Sequence, residues 1–351
     1  MAATGHARAD RTRRGQSGPA AGRGARPLHP RWRGRDRTPR GGAAMMRDRQ
    51  RGVALITALV VVSIATIAAT WLLVSLQQDI RRTGSVLHRE QAWQYALGAE
   101  EWARHRLALD AKDNRYDGLD EDWAVELPPL PVEGGSISGR LVDLQGRLNL
   151  NALLTPEGRH DPVTLARLRR LLQQLELNPD LASAITDWID ADQEPTAPGG
   201  AEDGHYAALE PPYLAANRPM ADPSELRLVA GIDEAAWQRL RPFVTALPQA
   251  TPINVNTAPP EVLATLGIPL PEAERLAETL HDAPVERIED FRLYPEVQEA
   301  RVSDTGLAVT SQWFLLEVRV EIGQIRLDYR ALLHRDEQGR IHTIQRSTGT
   351  A

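Results

Sequence analysis

The chain contains no cysteine in 351 residues, which excludes a disulfide framework and thiolate metal sites. Its first 52 residues contain no lysine, yet hold 14 of the 41 basic residues, all arginine, and only 3 of the 47 acidic ones. The formal charge of −6 therefore averages two unlike pieces, +11 up to Gly52 and −17 beyond it from 27 basic and 44 acidic residues. A body at −17 repels nucleic acid and favours cationic partners. No nucleophile elbow or metalloprotease pattern accompanies the nine histidines, so nothing in the chain reads as an enzyme.

Charge is also absent from Gly52 to Gln78, where VALITALVVVSIATIAATWLLVSL supplies 24 mostly apolar positions. A helix needs about 20 to cross hydrocarbon, and a cleaved signal peptide has an apolar run of only about 7 to 15. The run reads as a membrane-spanning helix. Arg47, Arg49 and Arg51 precede it, so the positive-inside rule places the N-terminus in the cytoplasm and the remaining body outside. Residues 1 to 44, rich in Arg, Gly, Pro and Ala without apolar period, read as disordered or untranslated, with Met45 and Met46 as later starts. Beyond the apolar run, Ala92, Tyr95, Ala96, Ala99, Trp102, Ala103 and Leu109 recur at helical spacings, predicting one helix from Val53 to about Ala111 with an apolar stripe that carries a soluble body.

Two β regions frame that body. GSISGRLVDLQGRLNLNAL reads as strand and turn, and from Trp313 onward the chain alternates, with Val318, Val320 and Ile322 on one face and Glu317, Arg319 and Glu321 on the other. Gly323 and the DEQG stretch divide this end into a three-strand antiparallel meander. Between them, residues 156 to about 300 read helical, opening with Asp161 as a cap and Pro162 in the first turn. The expected fold is α+β: a long N-terminal transmembrane and amphipathic helix, an antiparallel sheet, and a large helical domain inserted into that sheet.

Within the helical part, DWIDADQEPTAPGGAEDGHY places Asp187, Asp190, Asp192, Glu194, Glu202 and Asp203 around a Pro and Gly-rich loop. Calcium takes six to eight oxygen ligands from carboxylates, carbonyls and water, which suits clustered acids on irregular backbone. Asp190, Asp192 and Glu194 alternate as in the first half of an EF-hand, but Pro195 stands where that motif needs Gly and Ala201 where it needs Glu. Asp187, Asp190, Asp192, Glu202 and Asp203 are the candidate ligands of a different calcium site; a solvated acidic loop is the alternative. With His205 the one histidine nearby, zinc is disfavoured.

The basic leader ending in Gly52, the apolar helix that follows at once, DLQGRLNLNAL, the DWIDADQEP loop with its GGAED continuation, and INVNTAPPEVL together resemble the protein K family of general (type II) secretion, the large minor pseudopilins. The resemblance covers about 47 to 351. It implies a leader (47–52) after a 1–46 extension, cut by prepilin peptidase between Gly52 and Val53, with Val53 N-methylated and the helix 53–111 kept as an anchor, its half 53–76 in the inner membrane. It implies a pilin-like sheet from 112–155 and 301–351, an inserted helical domain at 156–300 that binds calcium, a periplasmic body, and a non-enzymatic place at the pseudopilus tip beside other minor pseudopilins. Most pilin-like proteins carry Glu at the fifth mature position, where it neutralises a neighbour's N-terminal amine. This chain has Thr57 there; the missing Glu is what the protein K family shows, and a subunit without that carboxylate is not drawn beneath another. It therefore suits the tip, with Tyr95, Ala99 and Trp102 as the stripe against which subunits below would assemble.

Two rival readings need features that the chain lacks. TPINVNTAPPEVLATLGIPLPEAERL resembles half of a helix-hairpin-helix module, which would make the protein a membrane-anchored DNA-uptake factor, but its hairpin reads GIP and no Lys or Arg cluster adjoins it. A periplasmic metal-dependent hydrolase would need an open coordination position beside a cleft and a general base. Trp93, Trp102, Trp123 and Trp188 read as core or interface anchors.

Overall fold

The computed structural model describes residues 45–113 and 115–349; the arginine-rich stretch 1–44 lies outside the described residues. The chain divides into two compact units, 1–73 and 74–351. Helix α1, Met45–Asp113, contributes to both. In the first unit the apolar side chains are exposed, Ile67 and Trp71 among them. By length and composition this is a helix able to cross a membrane. Its few polar groups turn inward on the helix itself: Thr57 Oγ1 donates to Val53 O at 2.8 Å, Ser63 to Leu59 O at 2.7 Å, and Thr66 to Val62 O at 2.8 Å. Such back-bonding removes the cost of placing a hydroxyl in hydrocarbon.

The second unit is built on a five-stranded antiparallel sheet in the order β1-β2-β7-β8-β9. Strands β1 (Leu127–Val132) and β2 (Gly135–Asp143) come first, and β7 (Trp313–Ile322), β8 (Ile325–Arg335) and β9 (Ile341–Thr348) come last. The expected alternation in β7 holds: Val318, Val320 and Ile322 are buried while Arg319 and Glu321 are exposed. Strand β1 was not legible in the sequence because it reads LPPLPV, and proline cannot donate to a ladder. It is tolerated at this edge, where Pro128 and Pro129 fall in the register irregularity between Leu127 and Leu130,.

The buried face of the sheet packs on the second half of α1, where Ala92, Ala96, Ala103 and Leu107 are fully buried against Phe314, Val320, Tyr329 and Leu333. Alanines let the helix approach the sheet closely. The predicted stripe needs one correction: Leu109 is exposed at 37%, and the period runs instead 92, 96, 100, 103, 107, through a carboxylate. Glu100 is buried and accepts from Tyr329 Oη, from Thr343 Oγ1 at 2.6 Å, and from both Nε and Nη2 of Arg346 at 2.8 Å. Its polar bonds to β8 and β9 register the helix on the sheet. Tyr95 and Ala99 are half-buried, and Trp102 is 42% exposed. Ala99 and Trp102 border an apolar groove of about 240 Å³ floored by Trp123, Leu141 and Leu316.

Between β2 and β7, which pair along their full length from Gly135↔Ile322 to Asp143↔Phe314, the chain leaves the sheet and forms helices. These are α2 (Pro162–Gln174), α3 (Leu181–Ile189), α4 (Asp203–Tyr206), α5 (Glu234–Leu240), α6 (Pro260–Ala264), α7 (Leu270–Asp282), α8 (Ile288–Phe291) and α9 (Pro295–Glu299). Two parallel pairs of two-residue strands tie them together, β3 (Leu148–Asn149) with β4 (Val244–Thr245) and β5 (Ile253–Asn254) with β6 (Leu307–Ala308). Asp161 caps α2 as expected, its Oδ1 accepting from Thr164 N at 2.6 Å with Pro162 next in line. The stretch DPSEL instead forms a 3₁₀ turn, Pro223–Leu228, behind an Asp222 and Glu225 capping box.

Candidate functional site

The acidic loop is positioned by α3, eight of whose nine residues are buried. Burial of the whole helix takes Asp187 with it, to 0% exposure. Asp190 ends the helix with extended backbone, its N–H still donating to Thr186 O at 3.1 Å. The chain then folds back over Asp187, so that Thr196 N donates to Asp187 Oδ2 at 3.0 Å. Gly200 makes this fold possible: a Cβ there would stand 2.2 Å from Asp187 Oδ2 and 2.5 Å from the Thr196 backbone. Glu202 arrives at the start of α4, only 5% exposed.

Asp187, Asp190 and Glu202 each bring one oxygen within 4.8 Å of the others. Four buried oxygens of this trio, Asp187 Oδ1, Asp190 Oδ1 and both oxygens of Glu202, have no hydrogen-bond partner. Burial, and then the charges of Asp190, Asp187, Asp192 and Asp203, push the Glu202 carboxyl up to about 7. Burial likewise raises Asp190, with His160 opposing it. An orphaned buried carboxylate oxygen costs its full desolvation; a trio that carries four of them, and brings one oxygen of each residue within 4.8 Å of the others, could hold a hard cation. Such donors suit calcium, and the absence of any thiolate disfavours softer metals.

The other two candidate ligands lie in the same loop but outside this trio. Asp192 is exposed and accepts from Glu194 N at 2.8 Å. Asp203 accepts from Ala215 N at 2.9 Å and Asn217 Nδ2 at 3.4 Å, holding the far side of the loop. Two residues were missed, and Gly200 was read only as part of a Pro and Gly-rich loop. His160 Nε2 stands 2.9 Å from Asp190 Oδ2, Gly200 makes room for the loop, and the buried Asn217 Oδ1 has no partner. His160 is 30 residues from Asp190 and carries no local signal; Asn217, with φ +48°, is a side chain that tolerates left-handed backbone.

A second acidic group, Asp110, Asp117 and Glu121, also converges, but it carries its own cation. Arg335 pairs with Asp110 at 3.1 Å and with Asp117, while Glu121 Oε2 accepts from Gly118 N at 3.0 Å and Trp123 Nε1 at 2.7 Å. This group is an ion-pair network at the seam between α1, the sheet and the helical segment.

An N-terminal helix apolar and long enough to cross a membrane, and an antiparallel sheet with helices between two adjacent strands and a buried carboxylate trio among them, define an α+β subunit. Residues 146–249 match the family model "Type II secretion system (T2SS), protein K". The type II secretion system protein K of Pseudomonas aeruginosa is 36% identical over 316 residues, spanning 87% of this chain and 94% of that protein. The protein K of Aeromonas hydrophila is 33% identical, spanning 86% and 98%. A chain in the crystal structure of the GspK-GspI-GspJ complex from the enterotoxigenic Escherichia coli type 2 secretion system superposes with a TM-score of 0.67 at 29% identity, covering 77% of this chain and 100% of that one. This chain belongs to the type II secretion system protein K family.

Proposed function

We propose that this subunit stands at the tip of a type II secretion pseudopilus, where it nucleates and caps the filament together with two smaller minor pseudopilins. The observation that carries the reading is the likeness of 77% of this chain to the whole of a chain crystallised in the GspK-GspI-GspJ complex. Thr57 supports it physically: its hydroxyl is spent on Val53 O and Ala54 O, and it offers no carboxylate to a neighbour's amine. The helical segment between β2 and β7 adds bulk that would block stacking above. Subunits below would meet α1 along Tyr95, Ala99 and Trp102. The protein acts by assembly and not by catalysis. The DNA-uptake reading gains nothing from the fold, since α7 carries Glu272, Glu274 and Glu278 around its hairpin.

Co-purification tests this. The full chain should form a complex of defined stoichiometry with two other minor pseudopilins of its system and should not polymerise alone, and Thr57→Glu should alter filament number or length without altering the fold. Incorporation along the whole shaft at the major subunit's frequency would refute capping.

The same reading assigns an inner-membrane, single-pass topology with a periplasmic body, and cleavage by prepilin peptidase. Mass spectrometry of membrane-extracted protein should find Val53 at the N-terminus; intact residues 1–44 would overturn this. Calcium, held by Asp187, Asp190 and Glu202 with Asp192, Asp203 and Asn217 close by, is the proposed resident ion of the helical segment, and it is supported by the four orphaned oxygens.

A further inference from the structure

The helical segment contains the same construction twice. Each copy opens on a two-residue strand that ends at the first Asn of an Asn-x-Asn motif. Asn149 Oδ1 accepts from Asn151 N at 3.1 Å, and Asn254 Oδ1 accepts from Asn256 N at 3.1 Å. The second Asn of each pair clamps a distant backbone by the same two bonds. Asn151 donates to Met220 O at 2.9 Å and accepts from Met220 N at 2.8 Å; Asn256 donates to Val285 O and accepts from Val285 N, both at 3.0 Å. Each opening strand pairs in parallel with a two-residue strand that closes its copy, β3 with β4 and β5 with β6.

The intervening parts also correspond. Helices α2 and α3 turn about Glu176 at φ +55°, and α6 and α7 turn about Gly267 at φ +99°, each preceded by Leu (Leu175, Leu266) and followed by an apolar residue (Leu177, Ile268). Downstream of the clamp, Met220–Leu228 and Val285–Leu293 share one order of buried, intermediate and exposed positions across all nine residues. Both segments place a fully buried Leu226 or Phe291 before an exposed Arg-Leu, and the buried Ile232 and Val297 follow at the same distance.

The copies differ in two places: α2 (Pro162–Gln174) is longer than its counterpart α6 (Pro260–Ala264), and the larger difference follows the second helix. Asn151 reaches its clamp across 69 residues, Asn256 across 29. After α7, Ala283 and Pro284 alone separate Asp282 from Val285, whereas after α3 residues 191–219 separate Asp190 from Met220. That stretch is the acidic loop. Its burden shows on α3: Glu274, Arg275, Glu278 and Thr279 on α7 are exposed, while α3 is buried on every side, and the loop supplies part of that cover, with Tyr206 and Tyr213 edge-on to Trp188 at 5.2 and 6.4 Å.

We propose that 148–245 and 253–308 are two copies of one folding unit, that 191–219 is an insertion into the first copy, and that a cation bound at its base switches the order of that insertion alone. A unit that closes with two residues in the second copy does not need the loop to fold. Without a cation, the like charges of Asp187, Asp190 and Glu202 work against loop closure, and opening uncovers one face of α3 without touching either clamp. The switch rests on the calcium reading above; the duplication does not.

Hydrogen exchange of the full chain in detergent, with calcium and with chelator, tests it. Chelator should raise exchange at least tenfold within 191–219 and at the end of α3, and leave 253–308 unchanged. Equal loosening of both copies would overturn the inference while leaving calcium binding intact; no response anywhere would overturn the calcium reading and the switch with it. A second variant separates the duplication from the ion: 191–219 replaced by Ala-Pro, with Trp188→Gln to suit the uncovered face. It should keep the exchange protection of 253–308 and melt without regard to calcium. Loss of protection there would show that the loop belongs to the fold, and would refute the insertion.

Discussion

Replacing Arg335 with methionine should destabilise the second unit by about 3–5 kcal/mol, the cost of taking the cation away from buried carboxylates. Arg335 is 8% exposed. It reaches Asp110 and Asp117 with its terminal nitrogens, donates from Nε to Ser311 O at 3.1 Å, and lies 5.1 Å over the Phe314 ring. Methionine keeps much of the packing volume and removes all of the charge. The loss should depend on pH in a defined direction. Burial pushes Asp117 up to about 7 against the pull of Arg335 and Ser311 N, and burial also raises Asp143. A folded pKa above the unfolded value means that the native state holds the extra proton, so stability from Asp117 falls as pH rises from about 4 through 7. Without Arg335 the ionised form is worse still, so the gap between wild type and variant should widen from pH 5 to pH 8. Thermal melts of the full chain in detergent would read this as a drop on the order of 10 °C at pH 8. Arg319→Met, which breaks an exposed 2.7 Å pair with Asp328, should cost far less, because water and salt screen that pair. Equal losses in the two variants would show that the buried network is not what holds the seam.

Calcium should supply the second large effect. At a free concentration of about 100 times Kd, an ion bound only by the folded state adds about 2.7 kcal/mol, and at 1,000 times about 4.1. Chelator should therefore lower the melting temperature. Glu202, pushed up to about 7 in the ion-free chain, sets the pH window: ion-free stability should fall as pH rises from about 4.5 through 7, because the folded carboxyl gives up a proton that the native state prefers to keep. Calcium needs the ionised form, so its increment should grow across the same window and be largest near pH 8. Asp190→Asn with Glu202→Gln should abolish the calcium response and make the ion-free chain more stable at pH 8 than wild type, since two like charges are removed. Superimposable melts with and without calcium at pH 8 would leave only an acidic loop.

Part of the site was legible in the sequence, and the reason is local. Clustered acids around a PGG turn announce negative charge on irregular backbone whatever surrounds them. Which acids converge was not legible. Asp187 and Asp190 are brought together by the end of α3, but Asp192, only two residues on, turns to solvent to bond its own loop, and Glu202 returns because Gly200 lets the chain cross Asp187. The second copy of the folding unit was missed in the same way: the Asn-x-Asn motifs are short, and their equivalence lies in bonds to residues 69 and 29 positions away.

Sequence alone determined what short-range periodicity and composition can carry. An uncharged run long enough for hydrocarbon makes a helix by itself, the period-two alternation of Val318, Val320 and Ile322 makes a one-sided strand, and Asp161 with Pro162 starts a helix, because each of these depends on neighbours within a few residues. Tertiary structure decided where charge sits inside. Glu100 interrupts an apolar stripe and is tolerated because Tyr329, Thr343 and Arg346 arrive from strands more than 220 residues away. Arg335 meets Asp110 and Asp117 across 225 and 218 positions. A buried charge is stable only with its partner in place, and no periodicity within a segment specifies a partner that the fold alone brings near.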